Sequence, residues 1–319
     1  MLATGLLACL PASAALGAPS VVATILPVQS LAAAVTEGVT EVELLVPPGQ
    51  SPHHTALRPS QMRALTSADL VIWVGPNLET AMADVIEALP QSRRLAFEGN
   101  RELTWLPARV GGVRIDDSGE EDGQAAPHGH AGHDHHDHEH VHDHRGVDPH
   151  VWLAPENAAA MVQAIADRLA TVDPEHAPLY RANAERTLAR LKALDRDLRK
   201  RLEPLADRPF VVFHDAYRYL EHAYGLTVAG VVSVDARNSP GVRRVAELRD
   251  RIRALGATCV FSEPQFPPRI VDTLVEGTHA RVGVLDPVGA DLPRGPDTYF
   301  LLLEGLGDSL ATCLAGEAR

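Results

Sequence analysis

At 319 residues the chain is too long for one small core and suits two domains of roughly 150 residues each. Its 45% apolar and 22% charged residues are the proportions of an ordinary soluble globular protein. A formal charge of -13 argues against nucleic acid or an anionic membrane surface, both of which select for clustered Lys and Arg, and makes a cation the more natural ligand.

No charged side chain precedes Glu37. The opening MLATGLLACLPASAALGAP pairs an apolar run with small residues, which predicts a secretory signal peptide over residues 1–18, cleaved between Ala14 and Ala18, and export to the periplasm. Pro11 and Pro19 disfavour a spanning helix. The usual leading Lys or Arg is missing, which places the true start upstream of Met1 as an alternative; LLAC, with lipoprotein anchoring at Cys9, is another.

VVATIL (21–26), EVELLVP (41–47) and LVIWVG (70–75) are short β-branched runs separated by helical stretches at Gln29 to Glu37 and Asn77 to Leu89. That βαβ order predicts a parallel sheet. Residues 116–146 hold a single Val, Ile, Leu or Phe, Val141, and cannot bury enough apolar area to offset the entropy of ordering, so the segment reads as a disordered insertion. Within it HGHAGHDHHDHEHVHDH packs nine of the sixteen histidines: His128, His130, His133, His135, His136, His138, His140, His142 and His144. Interleaved with Asp and Glu, they meet metal ions wherever these are available, but the sequence defines no single geometry.

RANAERTLARLKALDRDLRKRLEPL carries Leu188, Leu191, Leu194, Leu198, Leu202 and Leu205 at helical spacing and predicts one long amphipathic helix from about Glu175 to Glu203, with Asp173 as N-cap and Pro174 next. Beyond it the first pattern returns: PFVVFH (209–214), TVAGVVS (227–233), TCVFSE (258–263) and ARVGVLD (280–286), with helices opening near Ser239-Pro240 and Pro268. The expected fold is α/β: two similar lobes, each a parallel sheet flanked by helices, joined by one long rigid helix, with a cleft between them. The boundaries are an N-terminal lobe over 19–174, the linking helix over 175–204 and a C-terminal lobe over 205–319.

If the leader is removed, Cys259 and Cys313 remain. Two cysteines in an exported chain most often pair, closing a loop that stabilises by about 4 kcal/mol; two buried free thiols are the alternative. No CxxC is present, so a thiolate zinc site is not expected.

A rigid metal site needs imidazoles on fixed backbone, and in parallel α/β lobes ligands bind beyond the carboxyl ends of the strands. His53 follows EVELLV through the turn PPGQSP, His214 ends PFVVF, and His150 sits in DPHVWLAP between the insertion and a helix begun at Pro155. Asp286 ends RVGVL and is a fourth, oxygen, candidate; Glu263 in FSEP is a weaker one. Each has a plainer reading, as a hydrogen-bonding surface histidine or a turn-forming Asp. His54 is expected to face solvent, and His176, His222 and His279 to be structural.

LLVPPGQSPHHTALRPSQ, DPHVWLAPENA, VVFHDAYRYLEHAYGL and CVFSEPQFPPRIVDTLVEGTHARVGVLDPVG together resemble the ZnuA family, periplasmic zinc-binding proteins of bacterial ABC uptake systems within the metal-specific solute-binding proteins. The resemblance spans nearly the whole mature chain in order. It implies metal ligation by His53, the His four residues before LRPS, by His150 and by His214, with a carboxylate beside the metal at Asp286. Manganese-binding relatives carry a carboxylate where this chain has His214, and three imidazoles suit zinc. The resemblance also implies the Cys259–Cys313 disulfide, the acidic His-rich loop and the long helix.

The function so implied is capture of Zn²⁺ in the cell envelope, as transported ligand, and delivery to an ABC permease membrane subunit with its cytoplasmic ATPase. The chain would act as a monomer, without nucleic acid and without catalysing a reaction, and the loop would be an accessory zinc collector or sensor. A metal buffer is the first alternative. A zinc hydrolase is the second, against which stands the lack of HExxH, GxSxG and P-loop motifs. Ni²⁺, Co²⁺ and Cd²⁺ are not excluded by the ligand set.

Overall fold

The computed structural model describes residues 17–109, 146–233, 242–254, 256–266 and 269–316. The leader region 1–16 and the histidine run 128–144, with most of the predicted insertion around it, lie outside the described residues, as do Ser239, Pro240 and Pro268. In chain order the first half contributes β1 (Val21–Ala23), α1 (Leu26–Thr36), β2 (Val42–Leu44), α2 (Pro59–Ser67), β3 (Leu70–Trp73), α3 (Ala83–Glu87) and β4 (Arg94–Ala96). Two helices follow, α4 (Pro155–Val172) and α5 (Ala177–Leu202). The second half adds β5 (Phe210–His214), α6 (Arg218–Tyr224), β6 (Val228–Ser233), α7 (Val242–Ala254), β7 (Cys259–Ser262), α8 (Arg269–Val275), β8 (Arg281–Val284) and α9 (Thr298–Ala315).

The two halves repeat one topology. The first sheet runs β2-β1-β3-β4 and the second β6-β5-β7-β8, every pair parallel. In each, the first strand lies between the second and third, so the chain reverses its lateral direction there and opens a crevice beyond the strand ends. The strands that flank this point are buried on both faces, which is why VVA and LVIW read as unbroken apolar runs.

Side-chain alternation sorts the strands into layers. Val21, Ala23, Leu70 and Ile72 of the first sheet and Phe210, Val212, Cys259 and Phe261 of the second belong to one continuous core shared with α1, α4, α5 and α9. The opposite faces make separate clusters, one around Val22, Val71 and Trp73 and one around Val211, Phe213 and Val260. The lobes are therefore joined by shared apolar burial as well as by α5. α9 returns to the first half, where Ser30 Oγ accepts from the Tyr299 backbone N–H at 2.8 Å.

α5 presents the expected leucine stripe: Leu191, Leu194, Leu198 and Leu202 are buried, with Leu188 packed against the same core. Its start differs from expectation. Pro174–His176 form a 3-10 turn, and the Asp173 carboxylate accepts from His176 Nδ1 and the Tyr180 hydroxyl, both at 2.7 Å, instead of capping backbone N–H groups. Asn183 ties the helix to α1 by donating to the Val35 and Glu37 carbonyls, each at 2.9 Å, where α1 runs out of its own partners.

Three other differences have local causes. The stretch Asn77 to Leu89 is helical only over a 3-10 turn at Thr80–Met82 and the short α3, because the buried Glu79 side chain turns back to accept from Val74 N, Gly75 N and Thr24 Oγ1. β4 is three residues long and lacks β-branched side chains. α2 is nearly all polar outside, with Leu65 its one buried residue, so it has little apolar periodicity. Cys259 on β7 and Cys313 on α9 form a disulfide with Cα atoms 6.1 Å apart, pinning α9 to the second sheet. Among the described residues no helix is long and apolar enough to cross a membrane.

Candidate metal centre

Three histidines far apart in sequence meet at the strand ends. His214 is the last residue of β5, the strand at the second sheet's reversal point; it pairs with Ser233 of β6, and the residues before it, Phe210 to Val212, pair with β7. His53 lies in the loop after β2, and the Thr80 hydroxyl holds its backbone carbonyl at 2.6 Å. His150 precedes a 3-10 turn, Val151–Leu153, that leads into α4. Ring centroids are 5.5 Å apart for His53 and His150, 5.8 Å for His53 and His214, and 4.9 Å for His150 and His214. One ring nitrogen from each lies within 4.8 Å of the other two.

Behind two of the rings sits a buried carboxylate. Asp148 Oδ1 accepts from His150 Nδ1–H at 2.7 Å and from the His150 backbone N–H at 2.9 Å, an Asx-turn that fixes the ring and leaves Nε2 facing its neighbours. Glu263, one residue past β7, brings Oε2 to 3.5 Å from His214 Nδ1. These three histidines, Glu263, Gln265, Trp152 and Phe266 line a cavity of about 20 Å³.

The two halves are clamped around this point. Trp152 Nε1–H donates to the Pro287 carbonyl at 2.7 Å, and the Tyr299 hydroxyl donates to the Trp152 carbonyl at 2.6 Å. The Tyr219 hydroxyl, on α6, accepts from Leu106 N–H at 3.1 Å and donates to the Asp148 carbonyl at 2.8 Å. Arg109 binds Asp215 at 3.1 Å and Glu221 at 2.6 Å.

Burial shapes the charges. It drives the His150 imidazole well below its ordinary pKa, helped by the nearby His214, so His150 is neutral and ready to ligate. For His214 burial also acts downward, but Glu263, then Asp148 and Asp215, outweigh it and the pKa is raised. Burial lifts Asp148 to about 7 and Glu221 to about 7. Tyr217, buried beside Glu263 and Asp286, is held far above the usual phenol range and stays a donor.

The other candidates fall elsewhere. Asp286 lies just beyond β8 and is not in the histidine cluster; its carboxylate accepts from Gln265 Nε2 at 2.8 Å and from the backbone N–H groups of Val288, Gly289 and Ala290 at 3.1, 3.0 and 2.5 Å. His54 is exposed, with its ring 5.9 Å from that of His53. His222 and His279 are exposed, and His176 pairs with Asp173. His128, His130, His133, His135, His136, His138, His140, His142 and His144 lie outside the described residues. Asp148 was not a sequence candidate, although D-x-H before a helix is the spacing an Asx-turn needs.

Two parallel α/β lobes with strand-end imidazoles converging between them define a metal-binding receptor of the bilobed solute-binding class. The chain belongs to the ZnuA family: the model described as "Zinc-uptake complex component A periplasmic" matches residues 21–313. The family consists of zinc-transport binding proteins, not enzymes. The high-affinity zinc uptake system protein ZnuA of Brucella suis biovar 1 (strain 1330) is 41% identical over 305 residues, covering 92% of this chain and 91% of that protein. Its counterpart from Yersinia pestis is 35% identical over 315 residues, covering 98% and 96%. A solved ZnuA deletion mutant with zinc bound has the same fold, with a TM-score of 0.73 at 24% identity over 94% of this chain and 100% of that one.

Proposed function

We propose that His53, His150 and His214 hold Zn²⁺ as transported cargo, taken up in the periplasm and passed to the membrane permease of an ABC system powered by its cytoplasmic ATPase. The observation that carries this reading is the convergence of one nitrogen from each ring within 4.8 Å. Zinc bound at about 2.0–2.1 Å from each nitrogen in tetrahedral geometry would draw the three to about 3.4 Å apart, so loading tightens the cluster. Three neutral imidazoles favour zinc over manganese, which prefers oxygen.

The lobes in this reading are residues 19–174 and 205–319, joined by the rigid linking helix 175–204, and the protein works as a monomer. The histidine run 128–144 is an accessory collector: each ion it takes must order the chain, which lowers its affinity relative to a preformed cleft. The test is zinc titration against a competing chelator for the wild type and His214→Ala. The wild type should show one site far tighter than the rest, weakened at least a hundredfold in the variant; a variant that binds as tightly as wild type would exclude the assignment.

A further inference from the structure

The cavity between the three rings, about 20 Å³, holds one water-sized body. An ion there sheds almost all of its hydration, and a dication stripped of water requires compensating negative charge close by. Neutral imidazoles supply none. Asp286 is poorly placed to supply it by coordination. Its Oδ1 already accepts from Gln265 Nε2 and from the backbone N–H groups of Val288 and Gly289, and its Oδ2 from Ala290 N–H. Swinging it to the ion would strip four donors and unmake the turn that follows β8.

Two other carboxylates are buried and already aimed at the site from behind. Asp148, 2% exposed, hydrogen-bonds His150 Nδ1 at 2.7 Å. Glu263, 3% exposed, turns Oε2 toward His214 Nδ1 at 3.5 Å, and that nitrogen is among the buried polar atoms without a hydrogen-bond partner. A buried ring nitrogen without a partner, facing a carboxylate oxygen at the outer limit of hydrogen-bond distance, marks a contact that a small shift completes. A metal on His214 Nε2 forces the ring proton onto Nδ1, turns that N–H into a stronger donor, and completes it.

We infer that the charge of the bound Zn²⁺ is balanced from behind the rings, by Asp148 through His150 and by Glu263 through His214, and not by coordination of Asp286. Two carboxylates then match the double charge of the ion. Among the described residues, Asp215 and Glu221 also lie near the site and are committed to Arg109. Glu263 is thus a positioning and charge-balancing residue, and the fourth coordination position is left to water or to the permease. This inference rests on the reading that the triad holds zinc.

The test compares zinc affinity, by chelator competition at fixed pH, in Glu263→Gln, Asp148→Asn and Asp286→Asn, with apo thermal stability recorded for each. Glu263→Gln keeps the shape of the side chain and removes its charge. It should weaken zinc binding tenfold or more while apo stability stays near wild type, with Asp148→Asn in the same range. In zinc-loaded wild type, proton–nitrogen NMR should show hydrogen-bonded Nδ1–H signals from His150 and His214, and Glu263→Gln should shift the second alone. A zinc-loaded crystal structure of the wild type, which needs no variant to fold, should place a Glu263 oxygen within hydrogen-bond reach of His214 Nδ1 and leave Asp286 off the metal. Unchanged affinity in Glu263→Gln, or an Asp286 oxygen at a zinc-ligand distance of about 2.0–2.2 Å, would overturn the inference. Loss of binding in His214→Ala checks the triad independently, so the two readings fail separately.

Discussion

Removing one oxygen atom at Tyr219 should loosen the joint on which His150 depends. The Tyr219 ring is buried on α6 in the second half of the chain, and its hydroxyl joins two segments of the first half, accepting from Leu106 N–H and donating to the Asp148 carbonyl. In Tyr219→Phe the packing is retained and both backbone groups lose their partner. Orphaning a fully buried polar group costs about 1–3 kcal/mol, and the half-buried Leu106 N–H, which water can reach in part, less, so the expected loss of stability is about 2–3 kcal/mol. The functional consequence follows from the chain: the carbonyl that loses its anchor belongs to the residue whose carboxylate orients His150. Zinc release should therefore accelerate, by up to about tenfold, the lower end of what loss of an outer carboxylate partner produces. Urea unfolding of the metal-free protein reads the first effect, and stopped-flow release into excess chelator reads the second. A variant within about 0.5 kcal/mol of wild type would refute the reasoning, since that is the range of an ordinary surface substitution.

Zinc affinity should fall with acidity beginning above pH 6.5, because the raised pKa of His214 lets a proton compete for that ring earlier than for a free imidazole, whereas the lowered pKa of His150 defers its protonation. Chelator competition across pH checks this, and a flat profile down to pH 6 would count against His214 as a ligand. Replacing both Cys259 and Cys313 by Ala removes a link across 54 residues, worth about 4 kcal/mol in the chain-entropy model and visible as a lower urea midpoint. A loss below about 1 kcal/mol would show that the unfolded chain is not constrained by that bond. Deleting residues 116–146 should leave the tightest zinc site within about threefold of wild type and remove only weaker binding, measured by titration. Disappearance of the tight site would move it to the histidine run.

Much of the architecture was legible because both sheets are parallel and buried. Strands covered on two faces must be apolar along their length, so β1, β3, β5 and β7 stand out as unbroken runs between helical stretches, and their order implies crossover connections. Elements set by tertiary partners were not legible in the same way. The break in the predicted helix at Asn77 exists because Glu79 reaches back to β1 and β3, contacts that become local only after folding. The same holds for the start of α5, where Asp173 prefers the side chains of His176 and Tyr180 to the helix N-terminus.

The site shows the same division. His214 is readable at its strand end and His53 in the turn after one, while His150, which ends no strand, stands out through DPHVWLAP, and the family resemblance is what joins the three; what charge surrounds them is not readable, because it depends on which buried acids have free valence once the backbone has taken its share. Asp286 and Glu263 both follow a strand, and the sequence ranks Asp286 above Glu263 as an oxygen candidate. The structure separates them by their partners: Asp286 has four N–H donors, whereas Glu263 keeps one oxygen without a partner and turns the other toward the unpaired Nδ1 of His214. In a cavity this small, a carboxylate's influence on an ion is set by how many of its lone pairs remain uncommitted, and that quantity is written in the turns and loops around the strands rather than in the residue type.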